Sequence, residues 1–289
     1  LFEKVLSKRE LTTLGISGKH WVFFPENEDE LLKSLEKTSH FCVLGKGSNV
    51  VINENFSLPF ISLSRFNKVE ISKETIRLGA GVSLKRIMRE QIRRNFSLFE
   101  FLAGIPATVG GMVAQNAGAY GKEVKDFLVE VVYFDVKERD VKTLTDFSEF
   151  SYRKSPFPEK GIVIEAVFRI KRCERIRELI KHFLRKRMET QPPFWERTAG
   201  STFKNPPGEK AGKLLEECGM KGFKLGSLKF SEKHANFLIN TGGATFSEFK
   251  DITNIARERV EKRFGILLDF EVRIFDNDND YHLTCGGSG

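Results

Sequence analysis

Two stretches of this chain offer bare backbone to another molecule: Gly45-Lys46-Gly47-Ser48-Asn49, and FLAGIPATVGGMVAQNAGAYG at 101–121. Glycine permits positive φ and lets a ligand come close to main-chain N–H groups. A row of such groups in a turn makes a concavity for anions, phosphate above all. The chemistry this predicts is nucleotide binding by main chain. The two common fingerprints do not fit. Gly45 and Gly47 would need a third glycine at position 50, where Val50 stands, and VVIN reads as strand rather than helix. A Walker loop needs Gly-Lys followed by Ser or Thr, but Gly45-Lys46 precedes Gly47, and Gly212-Lys213 precedes Leu214. What remains is a pyrophosphate cradle of another design, with tight turns and close packing as the plain alternative.

Other chemistries are thinly supported. The 101–121 run is uncharged between Glu100 and Lys122, which invites a transmembrane reading; its glycines, Pro106, Gln115 and Asn116 argue against a helix in lipid. Cys42, Cys173, Cys218 and Cys285 form no CxxC pair, and the charged start LFEKVLSKRELTTLG has no secretory signal, so reduced thiols in a cytoplasmic protein are expected. The histidines miss metal-ligand spacings, and His282 with Cys285 is a lone HxxC in a polar tail, so no metal is expected. Lys and Arg number 47 against 39 Asp and Glu, a net charge of +8. That surplus suits nucleic acid, a membrane surface or phosphate-bearing small molecules. The basic clusters at Lys85–Arg94 and Lys171–Arg187 fall on helical patterns and read as solvated faces.

The elements that must position the glycine stretches show in the periodicity. Asn27, with Glu30 three residues on, is a capping-box pattern ahead of Leu31, Leu32 and Leu35. HFCVLGKGSNVVI reads as apolar run, glycine turn, apolar run. Ser83 caps a helix carrying Leu84, Ile87, Met88 and Ile92 on one face. LVEVVYFDV and GIVIEAVFRI are predicted strands flanking a polar loop with SYRKSPF. A helix from about 173 to 190 is ended by QPPFW, because proline disfavours helix in the residue before it. Thr245 and Glu248 open a second capped helix. In LLDFEVRIF, Leu268, Phe270, Val272 and Ile274 point one way and Asp269, Glu271 and Arg273 the other. The polar DNDNDYHLTCGGSG is expected to be a disordered tail. The fold class is α+β, in two or three pieces.

In order, GKGSN, AGIPATVGGMVAQNAGAYG, SYRKSPF, AGSTFKNP, SEKHANFLINTGGA and LDFEVRIF resemble the UDP-N-acetylenolpyruvoylglucosamine reductase (MurB) family, over nearly everything from about residue 11 to 275. The chain is similar to the shorter, type II-like form, which lacks an inserted substrate-capping loop. Ser17 and Ala107 stand where the family commonly has glycine. The resemblance implies a two-lobed FAD-binding region of the vanillyl-alcohol-oxidase/PCMH type, residues 1–65 and 66–189. A C-terminal α+β substrate-binding domain, 190–276, and a tail, 277–289, would follow. It implies FAD held by Gly45, Lys46, Gly47, Ser48 and Asn49 on one side. Gly104, Ile105, Pro106, Thr108, Gly110, Gly111, Asn116, Gly118 and Ala119 would hold it on the other. These segments contain no histidine or cysteine to tether a flavin, so non-covalent binding is expected.

The activity implied is NADPH-dependent reduction of UDP-N-acetylglucosamine enolpyruvate to UDP-N-acetylmuramate, in peptidoglycan precursor synthesis. A cytoplasmic monomer with no nucleic-acid partner and no membrane insertion is expected. Negative charge developing beside the substrate carboxylate then needs a proton and a stabilising group. By resemblance Ser201 is the proton donor, Arg153 stabilises the enolate-like charge and Glu271 engages the carboxyl end. Tyr152, Lys204, Asn205, His234 and Asn236 would contact the substrate. The residues themselves support these roles in part. Glu271 lies on the polar face of the last strand, where an ion pair with Arg273 is the alternative; Arg153 sits in a loop free to reach a ligand. Ser201 follows Ala199-Gly200, so its backbone can be approached, and a nearby cation, Lys204 or Arg153, would have to assist so weak an acid. Tyr152 could simply pack, and His234 and Asn236 could equally be satisfied structural groups. Two rival functions stay open: another FAD-dependent oxidoreductase acting on a sugar or hydroxy acid, and a basic nucleic-acid-binding protein.

Overall fold

The computed structural model describes residues 1–277 apart from 39 and 158. The expected tail lies outside the described residues from 278 onward. Asn277, placed in that tail, is instead tied down, its Nδ2 donating to the Asn55 carbonyl at 2.7 Å.

Near the N-terminus, strands Phe2–Ser7 and Lys19–Phe24 pair antiparallel, and Phe60–Ile61 and Cys42–Val43 extend the sheet in parallel. Helix Glu28–Lys37 buries Leu31 and Leu35 in one cluster with Phe23 and Ile61. Asn27 Oδ1 caps it by accepting from Glu30 N at 2.9 Å. The reciprocal arm of the predicted capping box is diverted: the Glu30 carboxylate takes the Glu26 N–H and the Leu1 ammonium, both at 3.0 Å. A charged group within reach outcompetes the local N–H.

The second sheet runs Asp140–Leu144, Leu128–Asp135, Ile162–Arg169, Thr75–Gly79, Val69–Ile71, antiparallel throughout. Its central strand IVIEAVFR is buried almost without alternation, as a strand covered on both faces must be. Helix Leu84–Arg94 starts at Ser83, whose Oγ accepts from Arg86 N, and buries Leu84 and Ile87. Helix Ile176–Thr190 stops at Gln191, immediately before the two prolines.

The C-terminal part combines Lys224–Leu225, Leu228–Phe230 and Leu238–Asn240 with the long helix Phe246–Phe264. Here the capping box closes fully: Glu248 N donates to Thr245 Oγ1 at 3.2 Å and Thr245 N to Glu248 Oε2 at 2.9 Å.

One expectation changes. The alternation of LLDFEVRIF is kept in burial, yet the strand is only Arg273–Phe275 and pairs in parallel with Val50–Ile52. HFCVLGKGSNVVI forms its two apolar strands, Cys42–Val43 and Val50–Ile52, which join different sheets and leave the GKGSN turn between them. The last strand, within the expected substrate-binding part at 190–276, thus returns to the expected first lobe at 1–65. Phe275 packs its ring 5.4 Å from Phe60 and 5.7 Å from Phe56, and such a burial contributes about 1.5–3 kcal/mol. Leu14, Ile16 and Val51 in turn pack into the C-terminal core. Among the described residues no helix is long and apolar enough to cross a membrane.

Candidate active site

A cavity of about 680 Å³ opens where these parts meet. One wall is the turn Gly45–Asn49, and the facing wall includes Gly104–Thr108, Gly110–Met112 and Gly118. Arg153, Glu271 and Arg273 close one side, and the Gln191–Phe194 turn with Thr198–Gly200 rims another.

The turn suits an anion. Among the described residues the amides of 45–49 donate to no acceptor, while the Gly47 and Asn49 carbonyls take Thr13 N at 3.0 Å and Arg273 N at 2.9 Å. Gly47 has φ +61°, and a Cβ there would stand 1.8 Å from the Leu11 carbonyl oxygen, so only glycine fits. Asn49 is a junction: its Nδ2 donates to Gln115 Oε1 at 2.8 Å and to the Glu271 carbonyl at 2.9 Å, tying three distant segments around the cavity.

The long glycine stretch is less open than a row of free amides. Val109 N donates to Val82 O at 3.0 Å and Gly110 N to Ala80 O at 2.9 Å, docking the short helix Val109–Ala114 on the second sheet. Its glycines serve close approach as much as binding. Gly111 does face open space, a Cβ there meeting only Thr108 Oγ1, at 3.5 Å.

Arg153 and Glu271 come together across 118 residues of sequence, Nε donating to Oε1 at 2.6 Å. Arg153 Nη2 also donates to the Gly118 carbonyl at 2.9 Å, and the guanidinium lies 5.1 Å from the Tyr152 ring centroid. Arg153 holds this position at φ +55°, an uncommon left-handed backbone for a non-glycine residue. Arg273 and Arg187 bring two further guanidiniums to the wall; burial pulls both pKa values down, though not far enough to discharge an arginine. Arg187 Nε donates to Ala103 O at 3.0 Å and Nη1 to Gln191 Oε1 at 2.8 Å.

The segment that carries Ser201 is joined to the one that carries Glu271. Glu271 N donates to Thr202 O at 2.9 Å, Lys204 N to Asp269 O at 2.8 Å, and Phe203 faces Phe270 in an antiparallel bridge. Ala199 and Gly200 line the cavity, and Ser201 follows at their edge without being part of the wall.

Twelve of the fourteen residues expected to hold the cofactor line the cavity: Gly45, Lys46, Gly47, Ser48, Asn49, Gly104, Ile105, Pro106, Thr108, Gly110, Gly111 and Gly118. Asn116 and Ala119 do not. Asn116 is fully buried, its Nδ2 donating to Glu123 and the Ser151 carbonyl, both at 2.9 Å, and its Oδ1 accepting from Lys125 N. Ala119 sits in a two-residue hairpin opposite Lys122, packed on the core.

None of the five expected substrate residues lines the cavity. Asn236 is buried and clamps Phe203, Oδ1 accepting from its N–H at 2.9 Å and Nδ2 donating to its carbonyl at 2.8 Å. Asn205 Oδ1 accepts from Ala211 N, the first residue of helix Ala211–Glu217. His234 packs 4.9 Å from the Phe237 ring, and burial lowers its pKa. Tyr152 is exposed under Arg153, and Lys204 is half-buried beside the Phe203–Phe270 bridge. Wall residues that sequence reasoning missed include Gly81, Gln115, Arg187 and Arg273. The glycine of GAG at 79–81 and the site-facing side of EVR were the available signals.

The cavity fits FAD in size and in its backbone-rich, net basic wall. The comparisons with known proteins agree. Residues 20–141 match the model of an FAD binding domain, and residues 191–275 that of the UDP-N-acetylenolpyruvoylglucosamine reductase C-terminal domain. The UDP-N-acetylenolpyruvoylglucosamine reductase of Aquifex aeolicus is 43% identical over 96% of both chains. That of Caldanaerobacter subterraneus subsp. tengcongensis is 36% identical over 86% of this chain and 85% of its own. The crystal structure of the Thermus caldophilus reductase superposes with a TM-score of 0.82 at 31% identity, covering 95% of this chain and all of that one. With relatives this similar along almost its whole length, and an FAD-sized cavity where their family model places the cofactor domain, the chain belongs to the UDP-N-acetylenolpyruvoylglucosamine reductase (MurB) family.

Proposed function

We infer that the protein reduces UDP-N-acetylglucosamine enolpyruvate to UDP-N-acetylmuramate with NADPH, using non-covalently bound FAD, in peptidoglycan precursor synthesis. FAD supplies a hydride acceptor for NADPH and a hydride donor for the enolpyruvyl double bond. The chain's residues do the rest. The open amides of 45–49 face the pyrophosphate, and Arg187 and Arg273 balance its charge. Arg153, held at Nε by Glu271 and at Nη2 by Gly118, keeps donor capacity for the negative charge that develops beside the substrate carboxylate. Glu271 fixes that guanidinium and meets the carboxyl end of the substrate. Ser201 Oγ passes its proton to the carbon bearing the carboxylate, with Lys204 and Arg153 as the nearby cations. Of the five residues expected on the substrate, Tyr152 and Lys204 keep that role, as the two whose side chains the protein does not engage in holding its own backbone.

The observation that carries this reading is the Arg153–Glu271 pair on the cavity wall, with Glu271 N donating to the carbonyl of Thr202, the residue after Ser201. We further propose that the protein acts as a monomer. We place it in the cytoplasm, with its nucleotide substrates. Residues 1–65 and 66–189 are the lobes around FAD and 190–276 the substrate domain, strand Arg273–Phe275 completing the first lobe.

The test separates the half-reactions. Ser201→Ala leaves flavin reduction by NADPH nearly intact and slows reoxidation by the enolpyruvyl substrate roughly 10²–10⁴-fold, the usual share of general acid catalysis. Equal loss in both halves removes Ser201 from the proton step.

A further inference from the structure

The turn QPPFW at 191–195 ends one helix and leads directly into the cavity wall at Thr198–Gly200. Phe194 is 76% and Trp195 68% exposed, more than any other large apolar side chain among the described residues. Single exposed apolar residues are ordinary, but adjacent bare rings at a cavity mouth point to a partner. Their centroids lie 5.1 Å apart at 79°, edge to face, and Phe194 itself lines the cavity.

The backbone beneath the rings is held at both ends. Gln191 N donates to Arg187 O at 2.8 Å, Glu196 N to Pro193 O at 3.0 Å, and Asn240 N to Arg197 O at 2.9 Å. Thr13 Oγ1 donates to the Thr198 carbonyl at 2.7 Å, and the two prolines fix φ between these anchors. The rings are thus presented on a preset frame. Lys233 Nζ donates to the Met188 carbonyl just upstream, adding positive charge beside the same turn.

We propose that Phe194 and Trp195 are positioning residues that form a stacking platform for the uracil ring of the UDP-sugar. The inference rests on the reductase reading of the site. The same segment carries Ser201, so the ligand reacting there extends past the rings. The sugar is linked directly to the enolpyruvyl group and so lies inside the rim. The adenine of NADP⁺, the other flat base that could reach the rings, is the competing occupant that the titration tests. Uracil lies at the far end of its molecule from the enolpyruvyl group, with ribose, diphosphate and sugar between, and reaches the rim when that group is at Arg153.

The protein has two tryptophans, Trp21 and Trp195, so Trp21→Phe leaves Trp195 as the single tryptophan reporter in the FAD-loaded enzyme. Titration with UDP is expected to change its fluorescence saturably, whereas NADP⁺ leaves it unmoved. Trp195→Ala raises KM for the enolpyruvyl substrate about 5- to 100-fold, the size that stacking one base on an aromatic ring carries, with KM for NADPH and Tm unchanged. Trp195→Phe restores most of the loss. A Trp195 signal that ignores UDP, a response to NADP⁺ instead, or an unchanged substrate KM in Trp195→Ala overturns the proposal. Failure of the reductase reading looks different: wild-type protein would answer UDP at Trp195 yet not couple NADPH oxidation to the enolpyruvyl substrate.

Discussion

The Gly45–Asn49 turn and the polar cluster around Asn236 were both expected to bind ligands, and the structure treats them oppositely. In the turn, five consecutive amides donate to nothing in the protein among the described residues. Around Asn236, the amide side chains of Asn205 and Asn236 and the ring nitrogen of His234 all accept or donate within the protein. The difference has a physical origin. A turn built on two glycines offers little apolar surface to the core, so its unpaired amides mark something else that needs the space. A polar side chain near a core has an internal demand, because buried polar groups must be paired. The long glycine stretch falls between the two, with amides at Val109 and Gly110 engaged and Gly111 facing the cavity.

The contrast can be broken in four places. Gly47→Ala has the largest expected effect: the new Cβ would meet the Leu11 carbonyl, which is backbone and cannot move away. Alanine held at positive φ costs about 1–3 kcal/mol by itself, and the clash with backbone adds to it, so the variant is expected to be insoluble or to melt far below wild type. A well-folded Gly47→Ala with full flavin content would end the idea of a rigid cradle.

Asn236→Ala comes next. It strands the Phe203 N–H and carbonyl in a buried place, which costs about 2 kcal/mol. Thermal denaturation should show a Tm lowered by several degrees, with substrate KM unmoved; the reverse pattern would return Asn236 to the ligand. Gly111→Ala is milder for the fold, since its Cβ finds only ordinary contact with Thr108 and alanine favours helix by up to about 1 kcal/mol. Its cost falls on the cofactor: apo-protein Tm holds while the flavin-to-protein ratio drops. Undiminished flavin would mean that this wall stands back from FAD.

The smallest effect comes from His20. Its Nε2 is buried among Phe56 and Phe60 with no hydrogen-bond partner among the described residues, and burial lowers its pKa below the ordinary value of about 6.5. The unfolded chain therefore takes up the proton first as pH falls. This contribution to stability is complete above about pH 6.5 and is lost as pH falls from there toward the folded pKa. His20→Leu should flatten the dependence of Tm on pH between 7 and 5, and an identical slope would show that His20 does not titrate differently on folding.

Much of the fold was legible. Period and caps located the helices opening at Asn27, Ser83 and Thr245, because a capping side chain acts within three residues of its target. The cavity's glycine walls were legible for the reason given above. Asn116 and Asn205 misled because nothing local distinguishes an amide that holds a loop or caps a helix from one that holds a ligand. Arg187 and Arg273 were missed because each lies within a helix or strand pattern that already explained it.

By itself the sequence determined the elements, the glycine-walled stretches and, through the order of its motifs, the family. Only the tertiary structure decided which polar groups were left for chemistry. It sent Arg273–Phe275 back to pair with Val50–Ile52, joined Arg153 to Glu271, and drew Asn49, Gln115 and Glu271 into one junction. Those contacts span up to 223 residues, between Val50 and Arg273. Local propensity acts over a few residues, and no spacing along the chain records which distant donor will find which acceptor once the lobes close around the cavity.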